Sequence, residues 1–213
     1  MTPETATAEA SRICRLAPVV PVLVVHDASI ARPLAEALVA GGLPALEVTL
    51  RTPAALDVIR EMAQVEGGVV GAGSILTPAA VTQVVAAGAR FGVSPGATDT
   101  VLTAAEQADL PMLPGAATAS EVMALLERGY RVQKFFPASI NGGAPAIKAI
   151  GAPIPDVMFC PTGGVTPENA PEYLSMKNII CVGGSWVAPQ SLIDAKDWAA
   201  IEELAREAAA LRG

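Results

Sequence analysis

Lys134 sits in the run Arg131-Val132-Gln133-Lys134-Phe135-Phe136-Pro137, where an ammonium among apolar neighbours is costly unless a site uses it. Burial strips hydration from the charged form and favours the neutral amine. A neutral amine adds to a carbonyl and dehydrates to an iminium, an electron sink for breaking an adjacent carbon–carbon bond. The plainer alternative is a lysine snorkelling from a strand end. The segment Leu46-Glu47-Val48-Thr49-Leu50-Arg51 argues against that alternative. On a strand, Glu47, Thr49 and Arg51 share one face and Leu46, Val48 and Leu50 the other. If the apolar face packs on helices, Glu47 and Arg51 point inward. They stand about 13 Å apart along the backbone, so each needs another partner. A glutamate near the lysine would shuttle protons, taking one from a hydroxyl two carbons from the iminium and returning one to the enamine left after cleavage. Arg51 suits bidentate capture of a carboxylate beside the carbonyl, with Ser74 adding a hydroxyl.

Eight apolar, β-rich runs must position these groups: 19–25, 45–50, 68–73, 89–94, 111–114, 131–136, 157–160 and 178–182. Their starts are roughly 20–26 residues apart, with helix-type spacing of Leu, Val and Ala between them at 30–40, 54–65, 78–87 and 119–128. Gly41-Gly42, Gly88 and Gly129 punctuate helix ends. This regular βα unit predicts a single-domain (β/α)8 TIM barrel over residues 1–213, with a short N-terminal helix within 1–18. An open doubly wound sheet is the rival, and it would usually carry a G-x-G-x-x-G fingerprint, which is missing here.

Most of these strands end in small or turn-forming residues, including Gly71-Ala72-Gly73-Ser74, Ser94-Pro95-Gly96 and Leu113-Pro114-Gly115. In a parallel barrel all such ends share one face and leave a pocket there. Thr162-Gly163-Gly164, ahead of a helix expected near Pro167, and Gly183-Gly184-Ser185 offer backbone N–H groups after the last two strands. That is the usual phosphate position in such barrels. The Asn141-Gly142-Gly143 loop is a weaker candidate for substrate contact.

Composition narrows the rest. No apolar run reaches the roughly 20 residues needed to span a bilayer, and residues 1–16 carry Glu4 and Glu9 without the apolar block of a secretory signal. Cys14, Cys160 and Cys181 are few and widely separated, as expected of buried thiols in a reducing cytoplasm. The single histidine, His26, leaves no imidazole cluster for zinc; composition leaves carboxylate-only metal sites open, and no cofactor is expected. A net charge of −7, with fourteen scattered basic residues, disfavours nucleic acid as a partner.

Taken in order, Leu46 to Thr52, Gly71 to Ser74, Ser94-Pro95-Gly96, Lys134 to Ala138, Cys160 to Gly164 and Gly183 to Trp186 resemble the family of 2-keto-3-deoxy-6-phosphogluconate (KDPG) and 4-hydroxy-2-oxoglutarate (KHG) aldolases. The resemblance implies a class I, metal-independent lyase of the Entner-Doudoroff route, cleaving KDPG to pyruvate and glyceraldehyde 3-phosphate. It implies Lys134 as the Schiff-base lysine and Glu47 as general acid and base. Arg51 and Ser74 would hold the pyruvate carboxylate, and Pro95, Phe136 and Thr162 would belong to the substrate pocket. Gly163, Gly164, Gly184 and Ser185 would take the phosphate, and the assembly would be a homotrimer. Two departures stand out: Ser74 where the family often has threonine, and Ser139-Ile140 where relatives carry Glu-Ala, on the aldehyde side of the pocket. Two other readings use the same residues. KHG could be the main substrate, or Lys134 could act electrostatically in a phosphate-binding isomerase or epimerase.

Overall fold

The computed structural model describes residues 1–211. Helix α1 (Pro3–Cys14) precedes β1 (Val19–Leu23), α2 (Ala31–Ala40), β2 (Ala45–Thr49), α3 (Ala55–Met62), β3 (Val69–Gly73), α4 (Pro78–Ala86) and β4 (Phe91–Val93). The chain continues through α5 (Asp99–Gln107), β5 (Met112–Leu113), β6 (Gly115–Ala116), α6 (Ala119–Glu127), β7 (Val132–Phe135) and α7 (Gly143–Gly151). Then come β8 (Met158–Pro161), α8 (Ala170–Leu174), β9 (Val182–Gly184), α9 (Gln190–Ala195) and α10 (Trp198–Ala209).

Threonines start three consecutive helices. Thr77, Thr98 and Thr118 each accept the backbone N–H three residues on, satisfying a donor that the first helical turn leaves free. Glu121 completes the box on α6 by reaching back to Thr118 N–H at 2.9 Å.

The result is an α/β fold with exclusively parallel ladders among the described residues. The strands form a curled six-stranded sheet, ordered β5-β4-β3-β2-β1-β9, and a three-stranded sheet, β6-β7-β8. Instead of the eight uninterrupted strands expected, the fifth run is split at Pro114 into β5 and β6. Proline has no N–H for a ladder, although its carbonyl accepts Lys134 N–H at 2.8 Å. The last run also differs. Ile179, Ile180 and Cys181 are buried, as their apolarity predicts, but the ladder with β1 begins only at Val19↔Val182. Two isolated bridges, Phe159↔Ile179 ahead of that ladder and Thr162↔Gly183 within it, join this segment to β8 and its end, with one extra residue on the later side.

Strand alternation sorts side chains into two apolar cores. Leu46 and Val48 of β2 and Phe135 of β7 face the helices, where Gln133 also reaches across to Val122 O of α6 at 3.1 Å. Val20, Ala45, Phe91, Val93, Leu113, Val132 and Cys160 collect on the opposite, inner face. Helix α1 contributes Ile13 and Cys14 to that inner cluster. No described helix is long and apolar enough to cross a membrane.

Candidate active site

Glu47 and Lys134 continue the inner face begun by Ala45 and Val132, two residues further along their strands. They come from different sheets and meet across the interior, Lys134 Nζ donating to Glu47 Oε1 at 3.3 Å. The side chains of Lys134 and Glu47 are only 6% and 4% exposed, so the two groups have each other and little water. Lys134 Nζ also lies 5.1 Å from the centre of the Phe136 ring. Lys148 and Lys177, which flank a separate apolar hollow with no acidic group in its lining, are exposed and keep their hydration.

One strand step beyond Lys134, on the same face, Phe136 joins a cleft of about 290 Å³ lined by Val22, Val24, Arg51, Thr162, Gly163, Gly164, Val165, Gly183 and Ser185. Five predicted residues besides Phe136 therefore meet in one hollow: Arg51, Thr162, Gly163, Gly164 and Ser185. The alternation argument fails for Arg51. Strand β2 stops at Thr49, whose hydroxyl is tied to Leu23 O at 2.8 Å, and Leu50-Arg51 turn away. Arg51 is thus an exposed group at the mouth, its Nε 3.3 Å from Ser74 Oγ. Ser74 has a φ of +60°, a conformation that a β-branched side chain tolerates worse than serine does. This gives a backbone reason for serine over threonine at this position.

Pro95 and Gly184 are not in the cleft lining. The Pro95 carbonyl covers Gly115, and Gly184 lies under Trp186, where a Cβ would come within 1.9 Å of the indole. Gly183 takes the wall position expected of Gly184, and a Cβ there would stand 2.3 Å from Thr162 Oγ1. The helix expected near Pro167 begins at Ala170, because residues 167–169 form a turn in which Asn169 Oδ1 accepts Thr166 N–H at 2.9 Å. The five-residue α8 is therefore separated from the glycine loop, and any anion contact there falls to the loop's own amides. Val22, Val24, Val165 and Gly183 also line the cleft. Val22 and Val24 are legible in the sequence by continuing the period of two from Val20.

The three thiols are free and buried. Cys181 Sγ lies 3.5 Å from Cys160 Sγ. Hydrogen bonding with Cys14 and Cys160, then burial, holds the Cys181 thiol well above its ordinary range, as suits packing rather than attack.

The family model for KDPG and KHG aldolases matches residues 10–204, and the chain belongs to that family. A 2-dehydro-3-deoxy-phosphogluconate aldolase of Pseudoalteromonas atlantica is 51% identical over 194 residues, covering 91% of this chain and 90% of that protein. The crystal structure of the KDPG aldolase of Zymomonas mobilis ZM4 with 3-phosphoglycerate superposes with a TM-score of 0.93 at 48% identity, covering 97% of each chain. A Legionella pneumophila KDPG aldolase, with pyruvate captured at low pH as a covalent carbinolamine, gives 0.91 at 44% identity, covering 94% of this chain and 98% of that one.

Proposed function

We propose that this protein is a class I aldolase that reversibly cleaves KDPG to pyruvate and glyceraldehyde 3-phosphate through a Schiff base on Lys134. The buried Lys134–Glu47 pair carries the reading, because no other described lysine combines burial with an acid at hydrogen-bonding distance. Proton transfer along the 3.3 Å contact leaves Lys134 Nζ neutral and able to attack the C2 carbonyl. Loss of water from the carbinolamine gives the iminium. The protonated Glu47 can supply the proton for that departure and, once ionised, take the C4 hydroxyl proton. The C3–C4 bond then breaks, its electron pair passing to the iminium, and the aldehyde leaves. Protonation of the enamine at C3 and hydrolysis of the resulting iminium release pyruvate and restore the lysine. The covalent carbinolamine in the Legionella relative is the species that precedes such a Schiff base.

In the same reading Arg51, oriented by Ser74, receives the substrate carboxylate, Phe136 and Thr162 wall the reacting carbons, and Gly163, Gly164 and Ser185 receive the phosphate. The two sheets would be arcs of one closed (β/α)8 barrel in a single domain. Support comes from the lone Pro114 between β5 and β6 and from the bridges from β8 toward β9. A homotrimer completes the proposal, with sedimentation equilibrium as its test, and the three free thiols suit a reducing cytoplasm.

Incubation with pyruvate and borohydride, followed by peptide mapping, tests the mechanism. A single reduced pyruvyl adduct on Lys134 is expected; no adduct, or one confined to another lysine, would refute it. The family name also covers KHG aldolases, so kcat/KM for KDPG and for 4-hydroxy-2-oxoglutarate decides the main substrate.

A further inference from the structure

Three consecutive hydrogen bonds stitch the loop after β7 to the loop after β8. Ala138 N–H donates to Thr162 O at 2.8 Å, Ser139 N–H to Gly163 O at 3.0 Å, and Ser139 Oγ to Gly164 O at 2.8 Å. Asn169 Nδ2 adds a second bond to Gly164 O at 3.0 Å. In a trans peptide the N–H points opposite to the C=O of the same plane. With these carbonyls drawn toward Ala138 and Ser139, the amides of Gly163, Gly164 and Val165 turn the other way, toward the cleft those residues line with Gly183 and Ser185. Among the described residues, no protein acceptor takes the Gly164 or Val165 N–H.

Both glycines need positive φ, +96° at Gly163 and +73° at Gly164, to present successive peptides in this way. The fit to Ser139 is close, since a Cβ on Gly164 would fall 2.5 Å from Ser139 Oγ. Unsatisfied amides grouped at a concave wall form an anion site, and its affinity depends on how firmly the peptide planes are held.

We infer that Ser139 is a positioning residue for the phosphate end of the substrate, its amide and hydroxyl fixing the two peptide planes that receive the phosphate oxygens. The inference rests on the proposed reading of this cleft as a phosphosugar site. Ser139→Ala keeps the backbone bond to Gly163 O and the Asn169 bond to Gly164 O but releases the hydroxyl's hold on the Gly164–Val165 peptide. A net loss of one such bond corresponds to about a three- to tenfold change in affinity.

The test compares wild type, Ser139→Ala and Ser139→Thr in steady-state cleavage of KDPG and of unphosphorylated 4-hydroxy-2-oxoglutarate. Calorimetric binding of glycerol 3-phosphate, an unreactive phosphomonoester, accompanies it. In Ser139→Ala the KM for KDPG is expected to rise about three- to tenfold with kcat retained, and glycerol 3-phosphate to weaken by a similar factor. The unphosphorylated substrate should be unaffected, and threonine, which keeps the hydroxyl, should restore the phosphate effects. Unchanged glycerol 3-phosphate affinity in Ser139→Ala, no measurable affinity in wild type, or an equal KM rise for both substrates would each overturn the inference. Borohydride trapping of pyruvate on wild type reports separately on the aldolase reading. A missing adduct sinks that reading, while weakened glycerol 3-phosphate binding in Ser139→Ala would still support the role of Ser139.

Discussion

Gly73 and Glu47 occupy adjoining parts of one small volume: a Cβ on Gly73 would stand 2.2 Å from Glu47 Oε1 and 2.8 Å from its Cδ. The carboxylate reaches Lys134 because β3 carries no side chain at that position. Gly73→Ala should push Glu47 off its line to Lys134 Nζ while leaving the fold intact. A displacement of about 1 Å at a proton-transfer group costs on the order of 100-fold in rate. A drop of that size in kcat with an unchanged circular dichroism spectrum is expected; a kcat within twofold of wild type would show that Glu47 has room to move.

The buried ion pair makes a distinct prediction about stability. Lys134→Met alone leaves the Glu47 carboxylate buried without its partner and should cost about 3–5 kcal/mol. Lys134→Met with Glu47→Met removes both charges and fills similar volume with an adaptable side chain, so it should recover much of that loss. Urea denaturation of both single variants and the double variant measures the coupling. Additive losses would mean that each group is stabilised independently of the other.

Ser74 combines a hydrogen bond from Arg51 with a left-handed backbone, and these two features pull in opposite directions. Ser74→Gly should relieve the backbone strain and raise Tm by about 2 °C. The same change removes the hydroxyl beside Arg51, and KM for substrates with a pyruvate end should rise about fivefold. Calorimetric Tm and steady-state kinetics on one preparation test this trade-off, and a fall in both Tm and KM would contradict it.

Glu121 links stability to pH through its capping role. Its carboxylate accepts Ala117 N–H at 2.8 Å, Thr118 N–H at 2.9 Å and Thr118 Oγ at 3.0 Å. The Ala117 amide does most to hold the group below its ordinary value; burial opposes it, and the Thr118 hydroxyl and amide add to the lowering. Because the folded value is depressed, the contribution is complete above the unfolded carboxylate range and disappears as pH falls through the folded one. Glu121→Gln should therefore be less stable than wild type at neutral pH, with the difference closing in acid. Tm profiles from pH 7 downward check this, and a constant gap would mean that the charge is not involved.

Much of this arrangement is legible in the residues themselves. Alternation along 45–49 assigns Glu47 to the inner face, and the cost of burying Lys134 points to the same interior. The rest depends on partners that a local pattern does not contain. Apolarity in 179–181 reports burial, whereas a ladder requires a neighbour in register, and that neighbour, β1, meets the chain only from Val182. Alternation places Arg51 too deep because it cannot tell where a strand stops, and β2 stops at Thr49. Gly183 and Gly184 look interchangeable as a pair, and what separates them is Trp186 on one and Thr162 against the other.

Helix α1, through Ile13 and Cys14, packs with Ala45 and Val132 on the inner face, one strand step short of Glu47 and Lys134. In the aldolase reading, the fragment bonded to Lys134 sits deepest and the phosphorylated fragment sits nearer the threshold. Departure is then a queue: the aldehyde leaves first, and pyruvate is the last product out. Product inhibition should carry that signature, with pyruvate competing with substrate for the free enzyme and glyceraldehyde 3-phosphate inhibiting noncompetitively. The covalent bond to Lys134, above a floor that α1 helps to pack, would thus set the order of traffic through the site.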